Sequence, residues 1–507
     1  ASRREDGFAR GVDVPRRDDD DALPLLSPSP TELVAFSDVL GSGQQHLVRI
    51  RHNEVKCWPN LGHGRFGKGF VLSTLPFAYE EFEAAQVRLA DLDGSGAADL
   101  IYLKSDGFEV FMNHAGNGYP DTPQTQPWPE GVRYDRLCEV SFADLQGLGC
   151  SSLVLSVPHM SPRHWRYDFV QAKPYLLSRA NNNMGARNGV SYRSSAQEWL
   201  DEKAQLRAAQ QEPVCELPFA LHLVSQQTQL DEISGQQLSQ HFSYRQGYYD
   251  RHEREFRGFG LLLQTDTEGA PAQRLEDGFT APVLSKTWFH TGRAVDMPPS
   301  DGYAGDPGAA ALRPTLVQRY HSRDHASEGL DPIDDTLARE VARALSGSVL
   351  RSEIYNADAP AVPYGVQQHR YLVRLLRPAG QHQPYAVVQP LTLESRSLHY
   401  EQSVADDPLC QHSINLEWDD YGTLTHGWVV YCPRRKTRSD APPFSDPYQN
   451  TWWSDTHDEA QQAWYLTQAK VGFIHQSDPQ AWRLGLAYRS RSNALVLAKT
   501  DLHANDL

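Results

Sequence analysis

The stretch Leu89-Ala-Asp-Leu-Asp-Gly-Ser-Gly96 decides the fold, because the chain contains two further copies of it at equal distances. The copy before it is Phe36-Ser-Asp-Val-Leu-Gly-Ser-Gly43, and the copy after it is Phe142-Ala-Asp-Leu-Gln-Gly-Leu-Gly149. A short apolar stretch with the composition of a β-strand follows each copy. Strands that alternate with Asp and Gly turns at a regular long period are typical of β-propeller blades.

The spacing of the repeat is 53 residues, measured between the aspartates Asp38, Asp91 and Asp144 and between both glycines of every copy. The sheet of one repeat cannot bury both of its faces, so consecutive repeats should pack side by side. We therefore expect a mainly β protein that starts with a partial β-propeller of FG-GAP or VCBS type. It should have four strands in each blade and the three aspartates at equivalent turns.

The rest of the chain predicts β-rich domains with a few short helices. One helix is expected from Ser194, which would cap it, and another from Asp334 to Leu345, with Gly347 ending it. Residues 1–30 combine an Asp-rich run with Ser-Pro repeats, which is the composition of a disordered or linker segment. We predict four segments: a linker at 1–30, blades at 31–170, and β-rich domains at 171–300 and 315–507.

Composition excludes two classes of partner. The 507 residues carry a formal net charge of −16, whereas nucleic-acid surfaces need clustered cationic side chains. No apolar run approaches the roughly 20 residues that span a bilayer, so we expect no membrane insertion. The six cysteines form no Cys-x-x-Cys pattern and are expected to be free thiols. Because the chain starts at Ala1 and not at Met, we interpret it as part of a longer protein.

Several motifs downstream of the repeats resemble one family, the B component of bacterial insecticidal toxin complexes of TcdB or TcaC type. The resemblance covers its middle region and extends from about residue 33 to the end of the chain. The motifs are Lys173-Pro-Tyr-Leu-Leu177, Tyr248-Tyr-Asp-Arg-His-Glu-Arg-Glu-Phe-Arg-Gly-Phe-Gly260, Leu350-Arg-Ser-Glu-Ile-Tyr355, Pro384-Tyr-Ala-Val387 and Leu484-Gly-Leu486.

The resemblance implies a non-enzymatic role in a secreted toxin. In that family a propeller docks on the pore-forming A component and gates the exit, while Rhs-type tyrosine-aspartate repeats build a shell that the C component completes. The present chain departs from this pattern in extent. It has three repeats where the family propeller resembles a six-bladed one, and Trp418-Asp-Asp-Tyr-Gly-Thr-Leu424 is similar to a single degenerate shell repeat.

The middle repeat contains a candidate calcium loop. Asp91, Asp93, Ser95 and Asp99 place oxygen ligands at positions 1, 3, 5 and 9, a spacing that suits a hard cation. The other two repeats lack this set, so the fold itself does not require an ion, and we expect calcium binding to be weak or absent and no other cofactor. The alternative is an Asx-turn in which Asp91 accepts hydrogen bonds from backbone N–H groups.

Three further groups of residues are candidate sites. His159, His164 and Asp168 lie close together in sequence and could form a metal or catalytic site, or they could be polar residues at a blade edge. Glu253, Arg254, Glu255 and Arg257 could bind a ligand or form a charged ladder on a strand. The tryptophans Trp452, Trp453 and Trp464 could form a sugar platform or belong to the core.

The sequence contains no nucleophile elbow, phosphate-binding loop, zinc-protease motif or dinucleotide fingerprint. We therefore predict a structural and gating segment of a toxin complex that has no catalytic residues. Two alternatives stay open: a propeller adhesin that binds host glycan or protein, and a hydrolase whose site has no sequence motif. Binding to host glycan without an A component would indicate the first. Loss of activity on changing a single carboxylate would indicate the second.

Overall fold

A computed structural model describes residues 3–4, 7–8, 11, 13–14, 21–26, 29–161, 163–268, 281–298, 303–304, 306, 312–402 and 404–503. The chain is mainly β and forms two compact units. The first unit comprises residues 1–177 with 194–196 and 220–222, and the second comprises 178–193, 197–219 and 223–507. The linker predicted over residues 1–30 lies largely outside the described residues. Within it, β1 (Arg3–Arg4) pairs with β2 (Gly7–Phe8).

Each 53-residue repeat of the first unit forms its own antiparallel sheet. The first repeat contains β3 (Leu33–Ser37), β4 (His46–Arg51), β5 (Glu54–Trp58), the small pair β6 (Asn60–Gly62) and β7 (Arg65–Phe66), and β8 (Phe70–Thr74). The second contains β9 (Val87–Ala90), β10 (Asp99–Leu103), β11 (Gly107–Phe111) and β12 (Gln124–Pro127), after a 3-10 turn at Ala84–Gln86. The third contains β13 (Glu139–Ala143), β14 (Ser152–Ser156) and β15 (His164–Tyr167).

The first two repeats form four-stranded sheets with neighbouring strands adjacent in space, in the orders β3-β4-β5-β8 and β9-β10-β11-β12. In the described residues, the third repeat forms a three-stranded sheet, so the expectation of four strands in every repeat is wrong there. The chain after β15 runs through Lys173 and Tyr175, whose side chains bond to the second repeat, and adds no fourth strand to the third sheet.

The three repeat aspartates occupy the same place in their turns, as the spacing predicts. In each turn, one carboxylate accepts hydrogen bonds from two backbone N–H groups. The donors are Ser42 and Gly43 to Asp38 (3.0 and 2.6 Å), Gly94 and Gly96 to Asp91 (2.6 and 3.0 Å), and Leu148 and Gly149 to Asp144 (3.0 and 2.7 Å). Both glycines of every turn have a positive φ, between 66° and 86°, which a residue with a Cβ adopts only at a cost.

The three sheets pack face to face through two separate apolar cores. All five residues of β10 are buried, because this strand contributes to both cores. Leu100 and Tyr102 belong to the core shared with the first sheet, which includes Val48 and Ile50 of β4. The alternate residues Ile101 and Leu103 belong to the core shared with the third sheet. Because successive strand residues point to opposite faces, one continuous apolar strand is what a sheet buried on both sides requires.

Backbone hydrogen bonds also connect one repeat to the next. The N–H of Ala98 donates to the carbonyl of Asp38 (2.7 Å), and the N–H of Ser151 donates to the carbonyl of Asp91 (2.8 Å). The residue after the aspartate is covered at both of these turns, since Val39 and Leu92 are 0% exposed. The equivalent Leu145 in the third repeat is 50% exposed. Each turn is therefore buried by the following repeat, and the third turn is not buried in this way.

The second unit is built on one 15-stranded sheet. Its first half contains β16 (Arg179–Asn181), β17 (Ala186–Ser194), β18 (His222–Asp231), β19 (Gln237–Asp250), β20 (Glu255–Glu268), β21 (Val283–Phe289), β22 (Leu316–His321) and β23 (Ala326–Gly329). Its second half contains β24 (Val349–Asn356), β25 (Pro363–Arg377), β26 (Val387–Glu401), β27 (Val404–Trp418), β28 (Leu424–Tyr431), β29 (Ala463–Asp478) and β30 (Ala481–Ala498). Strands follow one another in chain order except that β24 lies beside β21, while β22 pairs with β23 and, in parallel, with β25.

Three helices begin at residues with side chains that cap them. Ser194 accepts from the N–H of Ala196 at the start of α1 (Ser195–Ala208). Asp334 caps α2 (Asp335–Leu345), and Gly347 follows with a φ of 84°. Asp446 caps α3 (Pro447–Thr456), and a 3-10 turn follows at Glu459–Gln462. Among the described residues, none of the helices is long or apolar enough to cross a bilayer.

The difference between Leu92 and Leu145 gives a matched test of repeat stacking. We expect Leu92→Ala to lower the free energy of unfolding by about 2–5 kcal/mol, because it leaves a cavity in a packed core. Leu145→Ala should lower it by less than about 0.5 kcal/mol, because half of that side chain is already in water. Urea denaturation followed by tryptophan fluorescence measures both. Equal losses for the two variants would contradict the stacking described above.

Candidate functional site

Three carboxylates converge at the turn between β9 and β10. Asp91 and Asp93 lie in the turn, and Asp99 is the first residue of β10. Their nearest oxygens all lie within 4.8 Å of one another, and in the described residues this is the one group of three or more acidic, His or Cys side chains close enough to hold a metal ion. The structure thus brings together the three carboxylates of the predicted calcium loop.

Every oxygen of these three carboxylates already accepts a hydrogen bond. The donors are the N–H groups of Gly94 and Gly96 to Asp91, of Leu92 and Asn113 to Asp99, and of Ser95 to Asp93, together with the hydroxyl of Tyr175 to Asp93. The fourth predicted ligand, Ser95, uses its hydroxyl locally, accepting from the N–H of Ala97 at 3.3 Å. The hydrogen-bonding pattern is that of the Asx-turn, which is the alternative to a calcium loop.

Two residues from the chain beyond the third repeat complete the cluster. The Lys173 ammonium donates to the carbonyl of Gly94, and its charge acts on Asp91. The Tyr175 hydroxyl donates to Asp93 over 2.7 Å. Sequence reasoning missed both residues as neighbours of the cluster, because they lie about 80 positions away and nothing in the Lys173–Leu177 motif indicates a contact with this turn. A fixed ammonium beside the carboxylates supplies positive charge where a calcium ion would otherwise do so.

Burial and hydrogen bonding act differently on the three carboxyl groups. Burial raises the pKa of Asp99 to about 7, outweighing the N–H bonds from Asn113 and Leu92. Burial also raises the pKa of Asp91. Burial opposes the ionised form of Asp93 as well, but the hydrogen bonds from Tyr175 and Ser95 prevail and lower the pKa of that carboxyl. One ionised group, Asp93, therefore lies beside two that bind protons more tightly than usual.

The donor set would fit a hard cation only in part. Calcium takes six to eight oxygen ligands, and the carboxylates here would have to keep their backbone bonds while also coordinating the ion. The equivalent turns supply no such set, since Leu40 and His46 occupy the places of Asp93 and Asp99 in the first repeat, and Gln146 and Ser152 do so in the third. If an ion were bound, Asp91, Asp93 and Asp99 would hold it, with competition from Lys173.

The structure does not bring His159, His164 and Asp168 together as a site. His164 bonds to Ser156 at 3.0 Å, and Asp168 bonds instead to Ser152 at 2.6 Å. His164 lies on the edge strand β15 of the third sheet, Asp168 directly follows that strand, and His159 lies in the turn before it.

The predicted charged ladder from Glu253 to Arg257 is wrong at its start. Glu253 and Arg254 lie in the hairpin turn that precedes β20, where Arg254 has a φ of 56°. Asp250 holds this turn by accepting from the N–H groups of His252 and Glu253. Arg257 is on the strand, with its guanidinium 3.2 Å from Asp250.

The three tryptophans do not form a platform. Trp453 is 4% exposed and stacks on His457, with ring centroids 3.8 Å apart. Trp464 is also 4% exposed, whereas Trp452 is 65% exposed. Two of the three are therefore core residues.

Lys173 makes calcium binding testable by substitution. We expect calorimetric titration of the native chain with Ca²⁺ to show weak or no binding, because the ammonium already neutralises the cluster. Lys173→Met should allow or tighten binding, since it removes the competing cation and keeps most of the side-chain volume. Adding Asp93→Asn to that variant should abolish the gain. Micromolar binding by the native chain that Asp93→Ala removes would contradict this expectation.

The raised pKa of Asp99 predicts a pH dependence of stability. Between about pH 4, near the pKa of an unfolded Asp, and pH 7, the folded chain holds a proton that the unfolded chain has lost. The free energy of unfolding should therefore fall as pH rises through this window, by up to about 4 kcal/mol at 1.4 kcal/mol per unit of pKa difference. Denaturation at a series of pH values measures the slope.

Asp99→Asn should reduce that slope between pH 4 and 7, and the raised pKa of Asp91 should leave part of it in place. Asp93→Asn is the matched control, because the lowered pKa of Asp93 places its effect below about pH 4. A slope that survives Asp99→Asn unchanged would assign the proton to another group.

Comparison with protein families matches most of the second unit and part of the first. The model of the insecticide toxin TcdB middle/N-terminal region matches residues 113–292, and that of the TcdB middle/C-terminal region matches residues 340–486. A search of curated proteins finds no match.

Solved structures match nearly the whole chain. The crystal structure of TcdB2-TccC3-Cdc42 is 41% identical with a TM-score of 0.86 over 94% of this chain and 22% of that chain. TcdB2-TccC3-TEV is 40% identical with a TM-score of 0.87 over 98% of this chain and 23% of that chain. The Photorhabdus luminescens Tc holotoxin pore is 40% identical with a TM-score of 0.86 over 95% and 22%.

The chain thus spans less than a quarter of the length of these relatives. The matched regions include the motifs at Lys173, Tyr248, Leu350 and Pro384 that carry the sequence resemblance. These findings show that the chain belongs to the TcdB family, the B component of insecticidal toxin complexes, and that it corresponds to the middle region of those proteins.

Proposed function

We propose that this chain is a structural, docking and gating segment of a secreted insecticidal toxin complex and that it has no catalytic activity. Its first unit would be part of a β-propeller that docks on the pore-forming A component. Its second unit would begin the shell that the C component completes around the toxic cargo. The observation that carries the proposal is the match over 94–98% of the chain to Tc toxin structures, including a holotoxin pore.

The propeller is supported by how the three sheets stack. Each is an antiparallel meander, and the second sheet buries both faces, one against each neighbour. Blades of a propeller pack in this face-to-face manner around an axis. The exposed Leu145 at the third turn marks the side on which a further blade would pack.

The shell is supported by the length and order of the strands in the second unit. Its strands reach 16 residues in β29 and 18 in β30, and from β24 onward each pairs with the next in the chain. A long sheet that grows one hairpin at a time can extend into a wall. In the described residues β30 is the last strand of the sheet, so one of its edges has no partner strand.

The docking end of the first unit can be tested with two matched substitutions. In an antiparallel meander, the β3–β4 turn and the β5–β8 connection lie at one end, and the β8–β9 connection lies at the other. Leu61 (62% exposed) lies in the β5–β8 connection, and Tyr79 (60% exposed) lies in the β8–β9 connection at the opposite end. We expect either Leu61→Arg or Tyr79→Arg to weaken binding to a purified A component at least tenfold, which is the size of a hot-spot loss.

The substitution at the opposite end is the control, and so is Tyr448→Arg in the second unit, where the side chain is 80% exposed. Biolayer interferometry with the immobilised A component measures all three. If the chain shows no affinity for the A component, the docking role is wrong. Binding to host glycans under the same conditions would support the adhesin alternative.

The open edge of β30 predicts self-association of the isolated chain. Trp482, Leu486, Tyr488 and Val496 on this strand are between 46% and 67% exposed, and an unpaired edge with apolar side chains invites pairing with another chain. Light scattering should show oligomers of the isolated chain. The double variant Trp482→Lys and Leu486→Lys should reduce association. A monodisperse monomer at high concentration would contradict the prediction.

A further inference from the structure

Two cysteines far apart in sequence face each other in the second unit. Cys410 lies on β27, and Cys432 is the residue directly after β28. The two strands pair through Gln411 and Tyr431, and one step further the N–H of Cys432 donates to the carbonyl of Cys410 over 2.9 Å. Residues directly opposite in an antiparallel pair carry their side chains on the same face of the sheet.

The spacing of this pair is suitable for a covalent bridge. Hydrogen-bonded antiparallel pairs hold their Cα atoms about 5.5 Å apart, which lies inside the range of about 4.4–6.8 Å found for disulfides. Both cysteines are free, and the backbone hydrogen bond from Cys432 to Cys410 joins them across the two strands. Both residues are half-buried.

The surroundings lower the pKa of one of the two thiols. The hydrogen bond from Cys432, and after it the charges of Arg396 and Arg435, lower the pKa of the Cys410 thiol, and the same bond raises the pKa of Cys432. Arg396 is buried, and two bonds of 2.9 Å hold the Arg435 guanidinium to Asp306. A thiolate with fixed cations nearby is the reactive form in disulfide exchange.

We propose that Cys410 and Cys432 form a reversible cross-strand disulfide by exchange with a small disulfide such as oxidised glutathione. The Cys410 thiolate attacks one sulfur of the reagent, forms a mixed disulfide and releases one glutathione thiolate. Cys432 then loses its proton and attacks the Cys410 sulfur, releasing the second glutathione. The protein dithiol loses two protons and two electrons, and the reagent is reduced to two thiols.

The bridge would fix the beginning of the segment that follows β28, which Asp407 of β27 already binds by hydrogen bonds. Asp407 is fully buried on β27 and accepts from the backbone N–H groups of Arg435 and Lys436. The disulfide would close a loop of 23 residues, counted from Cys410 to Cys432, and restrict the unfolded chain accordingly. In an oxidising medium this part of the sheet would be covalently fastened, and in a reducing cytosol it would be released.

The test exposes the folded full chain to oxidised glutathione, followed by intact mass measurement and non-reducing peptide mapping. We expect a species that lacks two hydrogens, a peptide linked between Cys410 and Cys432, and a melting temperature raised by roughly 5 °C. Dithiothreitol should reverse all three changes. The Cys432→Ser variant should instead stop at glutathione on Cys410, because it has no second thiol to resolve the mixed disulfide.

Cys215→Ser is the matched control, since Cys215 is an exposed thiol elsewhere on the chain and its loss should leave the linked peptide intact. Circular dichroism checks that each variant keeps its β content. The proposal is overturned if Cys410 and Cys432 stay free, or each carry a separate glutathione, under conditions in which Cys215 reacts fully. A link from either residue to another cysteine would overturn it as well.

Discussion

The aspartate of the repeat accepts hydrogen bonds through both its side chain and its backbone carbonyl, and the first unit depends on both. Its carboxylate accepts two N–H groups and so shapes the turn, as Asp38 does with Ser42 and Gly43. Its carbonyl then accepts a hydrogen bond from the next repeat, here from Ala98 at 2.7 Å. The side chain fixes where the carbonyl points, so local turn chemistry determines how neighbouring sheets stack. A substitution at the aspartate would therefore disturb two repeats at once.

The second unit differs from the first in what its interior contains, because its long strands share only small apolar clusters. Buried carboxylates paired with arginines lie on three strands and on α1 instead. The pairs are Glu198 with Arg245, Glu353 with Arg351, Glu394 with Arg370, and Asp407 with Arg434. Such pairs add little net stability, but leaving one partner alone in the interior is costly. A one-residue slip between β25 and β26 would separate Glu394 from Arg370, which lie directly opposite each other, and this favours the observed register in a sheet with few apolar contacts.

Sequence patterns predicted what is local. The 53-residue spacing led correctly to equivalent turns at Asp38, Asp91 and Asp144, and the caps at Ser194 and Asp334 marked two helices. The hairpin turn at Arg254 was missed, because the alternating charges resemble a strand and Asp250 was not recognised as the residue that holds the turn. Lys173 and Tyr175 could not be predicted from one sequence, since they reach Asp91 and Asp93 only through the path of the chain after the third sheet.

The surroundings of the ionisable groups can be compared with those found in catalytic sites. Catalytic sites gather perturbed ionisable groups around an accessible cavity. Here the acidic cluster is closed by backbone N–H groups, Lys173 and Tyr175. A cavity of about 470 Å³ in the second unit is lined by arginines that carboxylates already hold, such as Arg257 with Asp250 and Arg293 with Glu216. The exposed apolar side chains of the described residues include Leu145 and several on β30, where a further sheet or strand can add. Exposed apolar side chains at an unpaired strand edge are suited to pairing with a further strand.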